Sequence, residues 1–88
     1  MIFITLSNFK EKPNKEMIAK VDKLMEKMSK EGIKFISVYW TLGRYDSVVI
    51  FEAPDAKAAM KVGVMVADVI KTETLVAVSR EEAAKLLE

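Results

Sequence analysis

Both faces of the central hairpin are apolar, and this limits what the chain can fold into more than any other feature. Ile33 to Leu42 reads as a strand, with Ile33, Phe35, Ser37, Tyr39 and Thr41 on one face and Ile36, Val38, Trp40 and Leu42 on the other. Gly43 breaks the run. Asp46 to Ala53 then repeats the pattern, setting Val48 and Ile50 against Val49 and Phe51. An antiparallel sheet with helices on one side ordinarily alternates apolar and polar residues. Here the second face needs a cover of its own. At 88 residues the chain is one domain, and a domain of that size buries only roughly 60–65% of the surface its unfolded chain exposes. Since 51% of the residues are hydrophobic, either the core is dense or apolar surface is buried against another copy.

The remaining elements follow from periodicity and caps. Ile2 to Leu6 is β-branched and weakly alternating, a first strand, and Ser7 to Pro13 is a polar connection. Asn14 is a fitting N-cap. Met17, Val21, Leu24 and Met28, widened by Ile18 and Met25, mark one face of an amphipathic helix that Gly32 ends. Its lysines alternate with acids, as in Glu16–Lys20 and Glu26–Lys30, and so form a solvated face and not a phosphate patch. Asp55 caps a second helix from Ala56, with Ala59, Met60, Gly63 and Val66 or Ala67 as its small-residue face. Glycine costs a helix interior about 1 kcal/mol relative to alanine, so Gly63 points to close packing on the sheet. The run Val62 to Ala67 is apolar nearly all round and reads as doubly buried. Val69 to Ser79 is the fourth strand, with Thr72, Thr74, Val76 and Val78 on one face and Glu73, Leu75 and Ala77 on the other. Ser79-Arg80-Glu81-Glu82 matches a capping box, opening a short helix with Ala83, Leu86 and Leu87. The order βαββαβ plus a terminal helix is the α+β, ferredoxin-like split βαβ arrangement with a four-stranded antiparallel sheet. Its two main helices cover one sheet face only.

Composition excludes several functions. Fourteen Lys and Arg against 13 Asp and Glu give a net charge of +1, which offers nucleic acid and anionic membranes no electrostatic footing. No cysteine means no disulfide, thiolate nucleophile or thiolate metal site, and no histidine removes the commonest general base and metal ligand. Only carboxylate sites for hard cations are left, and the Asp/Glu spacing does not cluster. The reading therefore calls for no cofactor and no metal. Met1 to Phe9 is too short for a signal peptide and lacks its basic start, and no apolar run nears the ~20 residues of a membrane span. The expectation is a cytoplasmic protein, with a Lys- and Glu-rich composition like that of thermophile proteins.

At Tyr39-Trp40-Thr41-Leu42-Gly43-Arg44-Tyr45-Asp46 the chain resembles the GYD-domain family, through Gly43, Arg44, Tyr45 and Asp46. The resemblance continues through Val49 to Asp55 and again at Lys71 to Leu75. The family usually has a longer, glycine-containing loop after its first strand, whereas Ser7 to Pro13 is short and has no glycine. The resemblance implies a ferredoxin-like domain of the dimeric α+β barrel type, in which two open sheet faces pack together. It does not imply a reaction. Relatives of that fold include cofactor-independent monooxygenases, small isomerases and effector-binding domains of amino-acid-responsive regulators, and fold does not choose among them.

The candidate ligand-binding residues are Trp40, Arg44, Tyr45, Asp46 and Glu73. Arg44 suits bidentate binding of a carboxylate or phosphate, or an interface ion pair. Tyr39, Trp40 and Tyr45 suit an aromatic pocket or interface packing. Asp46 suits a ligand contact or the backbone donors of its own turn. Glu73 is unusual inside a strand. RNA-recognition domains share the βαββαβ order but carry aromatics at the third and fifth positions of a basic octamer; aligned on Arg44 those positions hold Asp46 and Val48. The expectation is a small homo-oligomeric binding or accessory module with a modest pocket near Gly43 to Asp46. It is set beside a cofactor-independent enzyme, and beside an effector sensor with its ligand between subunits.

Overall fold

A computed structural model describes residues 1–88. The elements run β1 (Ile2–Phe9), α1 (Lys15–Lys30), β2 (Lys34–Trp40), β3 (Ser47–Glu52), α2 (Ala56–Val66), β4 (Ile70–Ala77) and α3 (Arg80–Ala84), with a 3-10 turn at Lys85–Leu87. The strands form one antiparallel sheet in the order β2-β3-β1-β4, the α+β ferredoxin-like arrangement.

The caps act as their residue types dictate. Asn14 and Asp55 accept from the backbone N–H groups of Met17 and Ala58, both at 2.8 Å. Gly32 has φ 98°, which allows Ile33 N–H to turn back to the Met28 carbonyl at 3.2 Å. That closure puts Met28 and Ile33 together in the core. The capping box is half made: Ser79 Oγ accepts from Glu82 N–H at 3.1 Å, while the Glu82 carboxylate accepts from Lys85 Nζ.

One side of the sheet carries the core. Phe3 stacks on Phe51 with ring centroids 5.5 Å apart, and Phe35 tilts onto Phe51 at 5.9 Å. Met28 from α1 and Ala59 and Val62 from α2 close over them. Thr5 and Ser7 are buried on the same side, and Thr5 Oγ1 lies 2.8 Å from Thr74 Oγ1. Ion pairs join the helices along their flanks, Lys20 with Asp68 and Lys61 with Glu31. Each hydrogen-bonded lysine holds its carboxyl partner below the usual range.

Gly63 faces β4. A Cβ built there would stand 2.9 Å from Thr72 Oγ1, tighter than side chains tolerate. Gly63→Ala is expected to destabilise by about 1 kcal/mol, because crowding outweighs the gain in helix propensity. In a Thr72→Ala background the same change stabilises, since the oxygen is gone. Urea unfolding of the double-mutant cycle checks this sign reversal.

Several expectations change. β1 runs on to Phe9 because Ser7, Asn8 and Phe9 keep pairing with Thr72, Lys71 and Ile70, a partnership no local pattern announces. Leu42 belongs to the turn, fully exposed, and not to β2. The faces of β2 regroup, because a bulge leaves Ile36 unpaired between Phe35↔Phe51 and Ser37↔Ile50. Phe35 joins the helix side with Phe51, Val38 and Trp40 follow it through Val49 and Ser47, and Tyr39 turns to the open side beside Val48. The run from Val62 to Ala67 is not doubly buried: Val62 and Val66 are buried, but Val64 is exposed, as is Met60 one turn earlier. Met60 and Val64 instead border a groove between α2 and β4.

Candidate functional site

The hairpin turn is built by its own backbone. Thr41 N–H donates to the Asp46 carbonyl at 2.8 Å and Thr41 Oγ1 donates to the Tyr45 carbonyl at 2.6 Å. Gly43 sits at φ 101°, a conformation other residues rarely adopt. The tip, Leu42 to Arg44, is exposed.

Asp46 is tied to the scaffold. Its carboxylate accepts the Phe9 N–H at 2.9 Å, and its own N–H donates to the Ser7 carbonyl at 2.8 Å and to Asn8 Oδ1 at 3.2 Å. A half-buried carboxylate thus closes the β1–β3 ladder where β3 begins. Asp46→Ala is expected to cost about 1.5–2 kcal/mol, the worth of a hydrogen bond to a charged acceptor. Arg44→Ala, at the exposed tip, is expected to stay within about 0.5 kcal/mol. Chemical denaturation of the two variants separates scaffold from surface.

The other candidates divide between the two sides of the sheet. Trp40 lies by register on the helix side, edge-on to Phe9 at 5.1 Å. Tyr39 is on the open side. The aromatic pocket of Tyr39, Trp40 and Tyr45 therefore does not form. Tyr45 instead reaches across to β4, where its hydroxyl donates to Glu73 Oε2 at 2.9 Å. The Arg44 guanidinium lies 5.4 Å from the Tyr45 ring centroid, within cation–π range. The Glu73 hydrogen bond raises the Tyr45 pKa above its ordinary value, so the residue is a neutral phenol at neutral pH and not a poised base.

Arg44, Tyr45 and Glu73 thus converge on one shallow recess of about 150 Å³, completed by Leu6, Asn8, Lys71 and Thr72. Sequence reasoning passed over Asn8 and Lys71 as site residues. They face each other only once β1 extends past Leu6 and its register with β4 is fixed. Their residue types, an amide beside an ammonium, were the available signal. No group of three or more Asp or Glu residues is placed to hold a metal ion, and no helix is long and apolar enough to cross a membrane.

The GYD domain family model matches residues 3–87. The chain belongs to that family. The match takes in all four strands and both main helices. No curated protein matches the chain. In this GYD domain, glycine shapes the turn, tyrosine bridges to β4 and aspartate closes the β1–β3 ladder.

Proposed function

We propose that this GYD domain is a homo-oligomeric binding module: its open sheet face packs on that of a second copy, in the manner of a dimeric α+β barrel, and a small-molecule site lies at the rim beside Gly43 to Asp46. The observation that carries the reading is the apolar face without helices. Ile2, Ile4 and Leu6 of β1 alternate with the buried Phe3, Thr5 and Ser7. By register they share their side with Val48 and Ile50 of β3, Tyr39 of β2 and Leu75 of β4. Four strands at about 4.8 Å and six residues at about 3.4 Å give a footprint of roughly 400 Å², the size of apolar patch that marks an interaction site.

A second copy suits this face better than a charged partner. Its periphery holds Lys34 opposite Glu52 and Lys71 beside Glu73, so the strands carry each charge equally and only Arg44, at the hairpin corner, stands in excess. A nearly neutral, self-complementary rim is what a two-fold interface needs. A cofactor-independent enzyme has less support, because the recess at the hairpin is smaller than the ~300 Å³ of typical ligand pockets and its phenol is held protonated. Sedimentation velocity at micromolar concentration tests the proposal: a dimer or larger assembly is expected, and a stable monomer overturns it.

A further inference from the structure

We propose that the recess between Arg44, Lys71 and Glu73 binds a small carboxylate anion under the roof of the second copy, so that ligand binding and self-association reinforce each other. This rests on the open-face assembly proposed above.

Charge makes the first case. Arg44 and Lys71 take part in none of the four ion pairs of the molecule. Glu73 is the one acid in the recess, and it already accepts the Tyr45 hydroxyl. Two cations against one carboxylate leave a single positive charge to be balanced. A monoanion does so; a dianion would meet Glu73 at close range.

Donor geometry makes the second. The guanidinium is a planar fork suited to a carboxylate, and it is placed over the Tyr45 ring. Asn8 spends its carbonyl oxygen on Asp46 N–H, which leaves the two donors of its amide nitrogen. Lys71 lies directly opposite Asn8 in the ladder. The wall is therefore rich in free donors, while its one carboxylate already holds a proton donor.

Size and position make the third. At ~30 Å³ per water, about 150 Å³ holds the equivalent of roughly five waters, which suits an acid of few carbons. Leu6, Asn8, Lys71 and Glu73 all belong by register to the open side. Packing a second copy on that side would cover the recess, remove its water and strengthen the charge contacts. Linkage then requires that an anion bound there tighten the assembly.

The test compares sodium acetate with sodium chloride at equal ionic strength, up to about 0.1 M, where unlinked charges are screened beyond about 10 Å. At ten times its dissociation constant acetate is expected to raise Tm by about 8 °C over chloride. It is also expected to shift the backbone amides of Asn8, Tyr45 and Lys71 in NMR spectra and to lower the self-association Kd severalfold. The double variant Arg44→Ala/Lys71→Ala, changed only at exposed positions, should lose all three responses. Equal responses to acetate and chloride, or responses that persist in the double variant, overturn the inference. A larger response to inorganic phosphate than to acetate overturns the carboxylate class. A dimer indifferent to acetate sinks the ligand assignment and leaves the assembly standing. Saturable amide shifts in a persistent monomer sink the roof and the assembly together, leaving only the anion site.

Discussion

Phe51→Ala is expected to destabilise the domain by about 4 kcal/mol, within the range for removing a fully buried aromatic ring. Phe51 is 0% exposed and lies between Phe3 and Phe35, so its ring touches β1 and β2 from β3. Its removal breaks both stacks at once and leaves a cavity between two rings held on separate strands. Only 12 of the 88 residues are buried, so little other core exists to share the loss. Domains have about 5–15 kcal/mol in total, and a loss of this size takes between about a quarter and four-fifths of that margin. Urea unfolding followed by circular dichroism measures it. A loss under about 1.5 kcal/mol would show that the three-ring stack is not the centre of the core.

The second large effect belongs to the opposite side of the sheet. Ile4→Lys is expected to raise the self-association Kd more than a hundredfold and leave the fold intact. Ile4 pairs with Ile50 on one side and Leu75 on the other, at the middle of the open face. In the proposed assembly a lysine there would bury an unpaired ammonium, a penalty of several kcal/mol, and each 1.4 kcal/mol is tenfold in Kd. In a monomer the same lysine meets water at little cost. Sedimentation gives the association constant and circular dichroism verifies the fold. A folded Ile4→Lys variant that assembles as tightly as the parent places the contact elsewhere.

Much of the fold is legible in the chain because it is locally encoded. Asn14, Gly32, Asp55 and Ser79 punctuate the helices through their own side chains or backbone freedom, and each is found where its residue type implies. The faces of β3 and β4 follow from strict alternation. β2 defied the same reasoning because one bulged residue, Ile36, inverts the side of everything after it. Alternation carries no mark of a bulge, since any residue can occupy it.

The candidate site divides along the same line. Arg44, Tyr45 and Asp46 are near one another in any fold, because they are adjacent in sequence around a glycine turn. That Tyr45 meets Glu73, 28 positions away, while Trp40 leaves for the other side, depends on strand register. So does the pairing of Asn8 with Lys71. The sequence by itself determined the element order, the caps, the glycine turn and the excess of apolar sheet surface, because these rest on residue type and short-range periodicity. Only the tertiary structure decided which apolar residues the helices cover and which polar ones converge. Those outcomes depend on long-range pairing, in which one inserted residue exchanges the two faces.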